Sequence, residues 1–102
     1  MKAPQACESI EEVRRAIDQL DAEIIMALGQ RFEYVKTIMR FKQNEEQVRA
    51  PGRYEAVLHQ RRAWAEEAGL DPAIVEAIYR TLIDYFIAHE LDELRQSGER
   101  AP

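Results

Sequence analysis

The sequence predicts an all-α fold: a three-helix chain with one long N-terminal helix, assembled as an intertwined homodimer. Apolar residues recur every three or four positions over most of the chain, the period of one helical stripe. No stretch alternates apolar and polar residues as a half-buried strand would. The first segment is much longer than the other two, so one chain cannot cover its apolar stripe alone.

The elements follow in order. Ser9-Ile10-Glu11-Glu12 is a capping-box pattern, in which Ser9 accepts from the backbone of Glu12 and the Glu12 side chain reaches back. From there Ile10, Val13, Ile17, Leu20, Ile24, Leu28, Phe32, Val35 and Met39 trace one stripe, with no proline before Pro51. The first helix is expected from about Ile10 to about Lys42, roughly 50 Å at ~1.5 Å per residue. Gln43 to Ala50 is polar and aperiodic, and Pro51-Gly52 interrupts a helix, so this stretch reads as a loop and as a mobile cover over a ligand. A second helix runs from about Arg53 to Ala68, carries Val57, Leu58, Ala63 and Trp64, and stops at Gly69, a left-handed C′ residue. Asp71-Pro72 supplies an N-cap and an N1 proline for a third helix to about Arg95, striped by Val75, Ile78, Leu82, Tyr85 or Phe86, and Leu91. Ser97 to Pro102 reads as a frayed tail. A long coiled-coil adaptor is the plainer alternative, but the stripe lacks clean heptads with complementary charges.

Composition narrows the function. With 102 residues the chain holds one domain, with its core over about 9–96. The longest uncharged apolar run, Ile24 to Leu28, is far short of the ~20 residues of a membrane span, and the N-terminus lacks a signal-peptide apolar core, so the expectation is a cytoplasmic protein without membrane contact. A lone Cys7 permits neither an intrachain disulfide nor a cysteine zinc cluster and reads as inert; His59 and His89 lie far apart, so no metal is expected. Fourteen Lys and Arg against 19 Asp and Glu give a net charge of −5, which argues against nucleic acid and anionic membranes. Arg61-Arg62 lacks the interleaved aromatics of a nucleic-acid surface. Phe32, Tyr34, Trp64, Tyr79, Tyr85 and Phe86 fall at helical spacing and read as core, with Phe86 bordering a pocket. An anionic ligand must then be met by a few placed cations.

Arg14, Arg31 and Lys42 stand out by position. Arg14 and Arg31 are separated by ~25 Å along a helix, too far to grip one small anion from the same chain, so an antiparallel partner is needed to unite them. Arg31 and Lys42 fall on one side of a continuous helix ~16 Å apart, with long side chains able to close on a ligand between them. Taken singly, each cation reads as a solvated surface charge.

Val13-Arg14, Ala16-Ile17-Asp18, Leu20-Asp21, Ala27-Leu28, Arg31, Tyr34-Val35-Lys36, Arg40-Phe41-Lys42, Ala50-Pro51, Arg53, Arg61, Trp64-Ala65-Glu66-Glu67, Gly69-Leu70-Asp71 and Ile87-Ala88 together resemble the isochorismate pyruvate lyase branch of the all-helical chorismate mutase family, over nearly the whole chain. The resemblance implies the chorismate mutase type II fold, an intertwined dimer with two sites, each completed by Arg14 of the other chain. It implies a dicarboxylate substrate, isochorismate or chorismate, with Arg14, Arg31 and Arg53 binding it, Lys42 at the ether oxygen and a carboxylate, and no cofactor. Guanidinium groups suit bidentate carboxylate recognition. Both family reactions are pericyclic, so the site holds a reactive conformer and stabilises charge growing on the ether oxygen.

At position 90 the lyases carry glutamine, whereas this chain has Glu90. Burial disfavours the charged carboxylate and Lys42 favours it; the expectation is that protonated Glu90 donates to the ether oxygen, with activity falling as pH rises. Mutases of this fold hold the ring hydroxyl of chorismate with acidic side chains where this chain has Ala50 and Tyr54, which favours isochorismate cleavage to salicylate and pyruvate, with weak chorismate mutase side activity. Salicylate and siderophore biosynthesis is the implied setting. A mutase acting on chorismate (through Glu55) or on an amino analogue is the alternative, and a non-catalytic helical dimerisation module is the alternative of a different class.

Overall fold

The structure, a computed structural model, describes residues 1–100, with side chains described to residue 97. It is all-α: a 3₁₀ turn Pro4–Ala6, α1 Ile10–Ile38, a 3₁₀ turn Met39–Phe41, α2 Glu45–Arg49, α3 Pro51–Glu67 and α4 Pro72–Arg100, with no strand among the described residues. Contacts divide the chain into two compact units, residues 1–34 and 35–102.

In the first unit the start of α1 is capped much as its sequence predicts. The Glu12 N–H donates to Ser9 Oγ at 3.2 Å, but Glu12 Oε2 accepts from the Glu8 N–H at 2.9 Å, one residue upstream of the partner a capping box specifies. Lys2 Nζ, 3.2 Å from Glu12 Oε1, ties the N-terminal arm to this turn. The stripe faces solvent: Ile10 is 57% and Val13 40% exposed, and Ile17, Leu20 and Ile24 lie between these values.

In the second unit α1 stops at Ile38, four residues before the expected end at Lys42. The Lys42 N–H bonds to Met39 O at 3.2 Å, a tighter turn that satisfies one of the last carbonyls, and Lys42 itself is extended. The helical spacing that set Arg31 and Lys42 on one side of a single rod therefore does not reach Lys42.

The expected 43–52 loop contains a helix of its own, α2. Asn44 Oδ1 accepts from the Gln47 N–H at 2.9 Å, Gln47 Oε1 accepts from the Gln43 N–H at 2.6 Å, and Val48, 2% exposed, anchors the turn beside α4. Ala50 closes α2 and opens α3 in the left-handed region, φ 37° and ψ 64°. Pro51 does not break the helix: at N1 its missing N–H has no partner to lose, so α3 begins there, two residues before the expected Arg53.

α3 ends as its sequence predicts. Gly69, at φ 77°, donates to Glu66 O and Leu70 donates to Ala65 O, the paired bonds of a Schellman motif. Asp71 Oδ1 then accepts from the Ala73 N–H at 2.9 Å and Pro72 begins α4. Bonds from Tyr54 to Asp84 and from Arg62 to Glu76 set α3 and α4 antiparallel. Val57, Leu58 and Ala65 of α3 and Phe86 and Leu91 of α4 are buried. Helix α4 passes the expected end at Arg95 and takes in Ser97 to Arg100 of the expected tail; Ala101 and Pro102 lie outside the described residues. Three expected core aromatics are not core in this chain, since Tyr34 is 79%, Tyr85 64% and Trp64 48% exposed. At the ambiguous stripe position Phe86, not Tyr85, turns inward.

Candidate functional site

Two of the residues singled out in the sequence meet in the second unit. Lys42 leaves the 3₁₀ turn in extended conformation, and its Nζ lies 3.1 Å from Glu90 Oε2 on α4. The same ammonium donates to Val48 O of α2 at 3.5 Å. The Glu90 side chain is 5% exposed and that of Lys42 18%. Phe86, also buried, stands one turn before Glu90 on the same side of α4, with its ring edge-on to Tyr85 at 5.4 Å between centroids. An ion pair this far out of water holds together only because each charge compensates the other. A half-buried ammonium of this kind can serve an anionic ligand, and the carboxylate beside it can orient that ammonium or exchange a proton with a ligand oxygen.

Arg53 is exposed on the first turn of α3. Arg14 and Arg31 belong to the first unit, Arg14 exposed and Arg31 half-buried on α1.

Leu91, next to Glu90 in sequence, and Arg49, next to Val48, border a cleft of about 440 Å³ that is also lined by Tyr54, Glu55, Asp84 and Ile87. Tyr54 donates its phenol proton to Asp84 Oδ1 at 2.8 Å. That bond raises the phenol pKa above its ordinary 10.0, and the Arg80 guanidinium, 5.7 Å from the Tyr54 ring, opposes the rise. Sequence reasoning did not find the Tyr54–Asp84 bond, because residues 30 apart carry no periodic signal linking them. It also missed the carbonyl of Val48, which no side-chain pattern reports.

In the first unit Lys2, Cys7, Glu12 and Arg15 border a smaller cleft of about 230 Å³. Cys7 is a free, half-buried thiol whose Sγ lies 3.7 Å from Ala3 O. Glu12 has its carboxyl lowered, first by the Glu8 N–H and then by Lys2. Among the described residues no group of three His, Cys, Asp or Glu is placed to hold a metal ion, and no helix is long and apolar enough to cross a membrane. His89 pairs with Glu93 one turn along α4 at 3.2 Å.

An all-helical chain that holds a half-buried lysine against a buried carboxylate, with arginines at 14, 31 and 53, has the makings of an enzyme for small carboxylated molecules. The chain belongs to the chorismate mutase type II family, which its residues 13–91 match. It is 42% identical over 97 residues to the isochorismate pyruvate lyase of Pseudomonas aeruginosa, an alignment covering 95% of this chain and 96% of that protein. It is 33% identical over 84 residues to the T-protein of Haemophilus influenzae, covering 81% of this chain and 22% of that longer protein.

Proposed function

We propose that the protein is an isochorismate pyruvate lyase, which eliminates pyruvate from isochorismate to leave salicylate and carries weak chorismate mutase side activity. The observation that carries this reading is the near end-to-end similarity to a lyase of the same length class. The absence of acidic side chains at positions 50 and 54, where this chain has Ala50 and Tyr54, supports it further.

The working form is a homodimer, supported by the exposed stripe of α1. Arg31 and Arg53 of one copy and Arg14 of the second grip the two carboxylates, Phe86 walls the ring, and Lys42 meets the ether oxygen. Glu90, a carboxylate against Lys42 in the free chain, donates to this oxygen as the acid after taking a proton from solvent once the substrate holds the ammonium; the lyases have glutamine there. In the free chain Lys42 is bonded to Glu90, so a dianionic substrate competes for the same ammonium. The reaction is pericyclic and draws on positioning and charge stabilisation by these side chains. The enzyme works in the cytoplasm, in salicylate and thence siderophore biosynthesis.

Incubation with isochorismate and, separately, with chorismate tests the assignment. Salicylate with pyruvate from the first substrate supports it; prephenate alone from the second makes the protein a mutase. Arg31→Ala should cost orders of magnitude in turnover while the protein stays folded and dimeric, and unchanged turnover would remove the site. Wild type and Glu90→Gln should differ in their pH–rate profiles, and identical flat profiles would remove Glu90 from the chemistry.

A further inference from the structure

Two residues of opposite charge, one on an aromatic platform and one in an apolar stripe, have no ionic partner among the described residues. On α3 the guanidinium carbon of Arg61 lies 4.6 Å from the Trp64 ring centroid and 5.6 Å from that of Tyr79 on α4. Its Nε is out of solvent, with no hydrogen-bond acceptor among the described residues. Ring stacking occupies the faces of a guanidinium but leaves its in-plane N–H donors unmet. Beside it Trp64 is 48% exposed, so the guanidinium lies on an aromatic platform open to solvent on one side.

On α1 the matching charge is Asp21. It follows Ile17 by four residues and precedes Ile24 by three, so at 100° per residue it points within roughly 60° of both, inside the exposed stripe. Asp18 points about 100° away from Ile17. No hydrogen bond or ion pair engages Asp21 among the described residues.

Burying either apolar surface buries its charge, and a charge buried without compensation is strongly unfavourable. We infer that the two surfaces are buried against each other in the homodimer, with Asp21 of one copy paired to Arg61 of the second copy in each half. The inference rests on the dimer of the proposed function, and the spacing agrees with it. Asp21 lies seven residues, about 10 Å, along α1 from Arg14, and Arg61 lies eight residues, about 12 Å, along α3 from Arg53. If α1 of the second copy runs in the same direction as α3, as the inference requires, a copy whose Arg14 reaches the site that holds Arg53 brings its Asp21 level with Arg61. The occupant of the Arg61 platform is therefore a second copy of this chain, and its contact is a carboxylate.

The test is a charge reversal in two separate full-length proteins, Arg61→Asp and Asp21→Arg, followed by sedimentation velocity. Alone, each variant opposes like charges at both junctions, and its dimer dissociation constant should rise by at least about 30-fold. Mixed one to one, they restore both junctions only if the pairing crosses between copies, and the mixture should dimerise at wild-type strength. Pairing within one chain would leave the mixture as weak as its components and would rescue only the double variant. Either that pattern, or single variants that dimerise like wild type, overturns the inference while leaving the lyase reading intact. A monomeric, active wild type overturns this inference and the dimer together. If Arg61→Asp loses its helical circular dichroism, Arg61→Met and Asp21→Asn carry the test. Non-additive losses in their double-mutant cycle are expected, and additive ones refute the pairing.

Discussion

Lys42 and Glu90 form an unequal pair, and that inequality makes a quantitative prediction. The Glu90 side chain is 5% exposed and that of Lys42 18%. Lys42→Ala leaves a carboxylate deep in the fold beside Leu91, itself 7% exposed, with no cation to compensate it. Removing one partner of a buried pair costs about 3–5 kcal/mol. Glu90→Gln is milder: the amide oxygen still accepts from Nζ, and the ammonium has a path to water, so the loss is that of one charge-assisted bond traded for a neutral one, about 1 kcal/mol. At about 4–8 °C per kcal/mol for a domain of this size, Lys42→Ala should lower Tm by at least about 12 °C and Glu90→Gln by roughly 4–8 °C. The double variant buries no charge and should be more stable than Lys42→Ala alone. Thermal and urea unfolding followed by circular dichroism, at one protein concentration so that dimer mass action is held fixed, reads all three. If Lys42→Ala is no more destabilising than Glu90→Gln, or the double variant is the least stable of the three, the pair is not holding this part of the fold.

Three further expectations follow from local geometry. Ala50 sits at φ 37° and ψ 64°, a region that costs a residue bearing Cβ about 1–2 kcal/mol, so Ala50→Gly should stabilise by about 0.5 kcal/mol after its larger unfolded-state entropy, whereas β-branched Ala50→Val should destabilise in urea unfolding. Tyr54→Phe removes the bond to Asp84, which should cost at most about 1 kcal/mol in the same assay and delete one late-titrating phenol from an ultraviolet pH titration. The Glu12 carboxyl is lowered from 4.5, so the stability it adds to the start of α1 is present above that value and is lost as pH falls through its lower folded value; NMR should show the first turn loosening only at such acidity, and Glu12→Gln should abolish the pH dependence.

Much of the fold was legible because helices announce themselves locally. The start of the stripe at Ile10, the Ser9 hydroxyl cap, Gly69 and Asp71-Pro72 each act within one or two turns and behave as the sequence predicts, while the Glu12 return bond lands one residue upstream. The misreadings are local conflicts settled by geometry. Asn44 and Gln47 form the same kind of cap as Ser9 and Glu12, but the helix they open is only five residues long, too short for periodicity to register against its polar composition. Pro51 reads as a breaker in isolation; Ala50, by accepting a left-handed conformation, turns it into the first residue of a helix. The exposure of Tyr85 and burial of Phe86 could not be told apart in the sequence, since adjacent residues differ by only 100° and the choice depends on what α4 packs against.

The site was legible in a different sense. Lys42 stood out by its position and Glu90 through resemblance, yet nothing in the chain's spacing says that residues 48 apart form an ion pair; the α3–α4 hairpin and the docking of α2 through Val48 bring them together. The same docking explains why Lys42 is better placed at the mouth of a turn than on the helix first assigned to it. On a helix its side chain would be fixed at one azimuth along α1, whereas in extended conformation after the 3₁₀ turn it reaches both Val48 O and Glu90. Early termination of α1 is thus what gives the ammonium its two partners, and lengthening that helix by helix-favouring substitutions at Arg40 and Phe41 would separate Lys42 from the carboxylate it now holds.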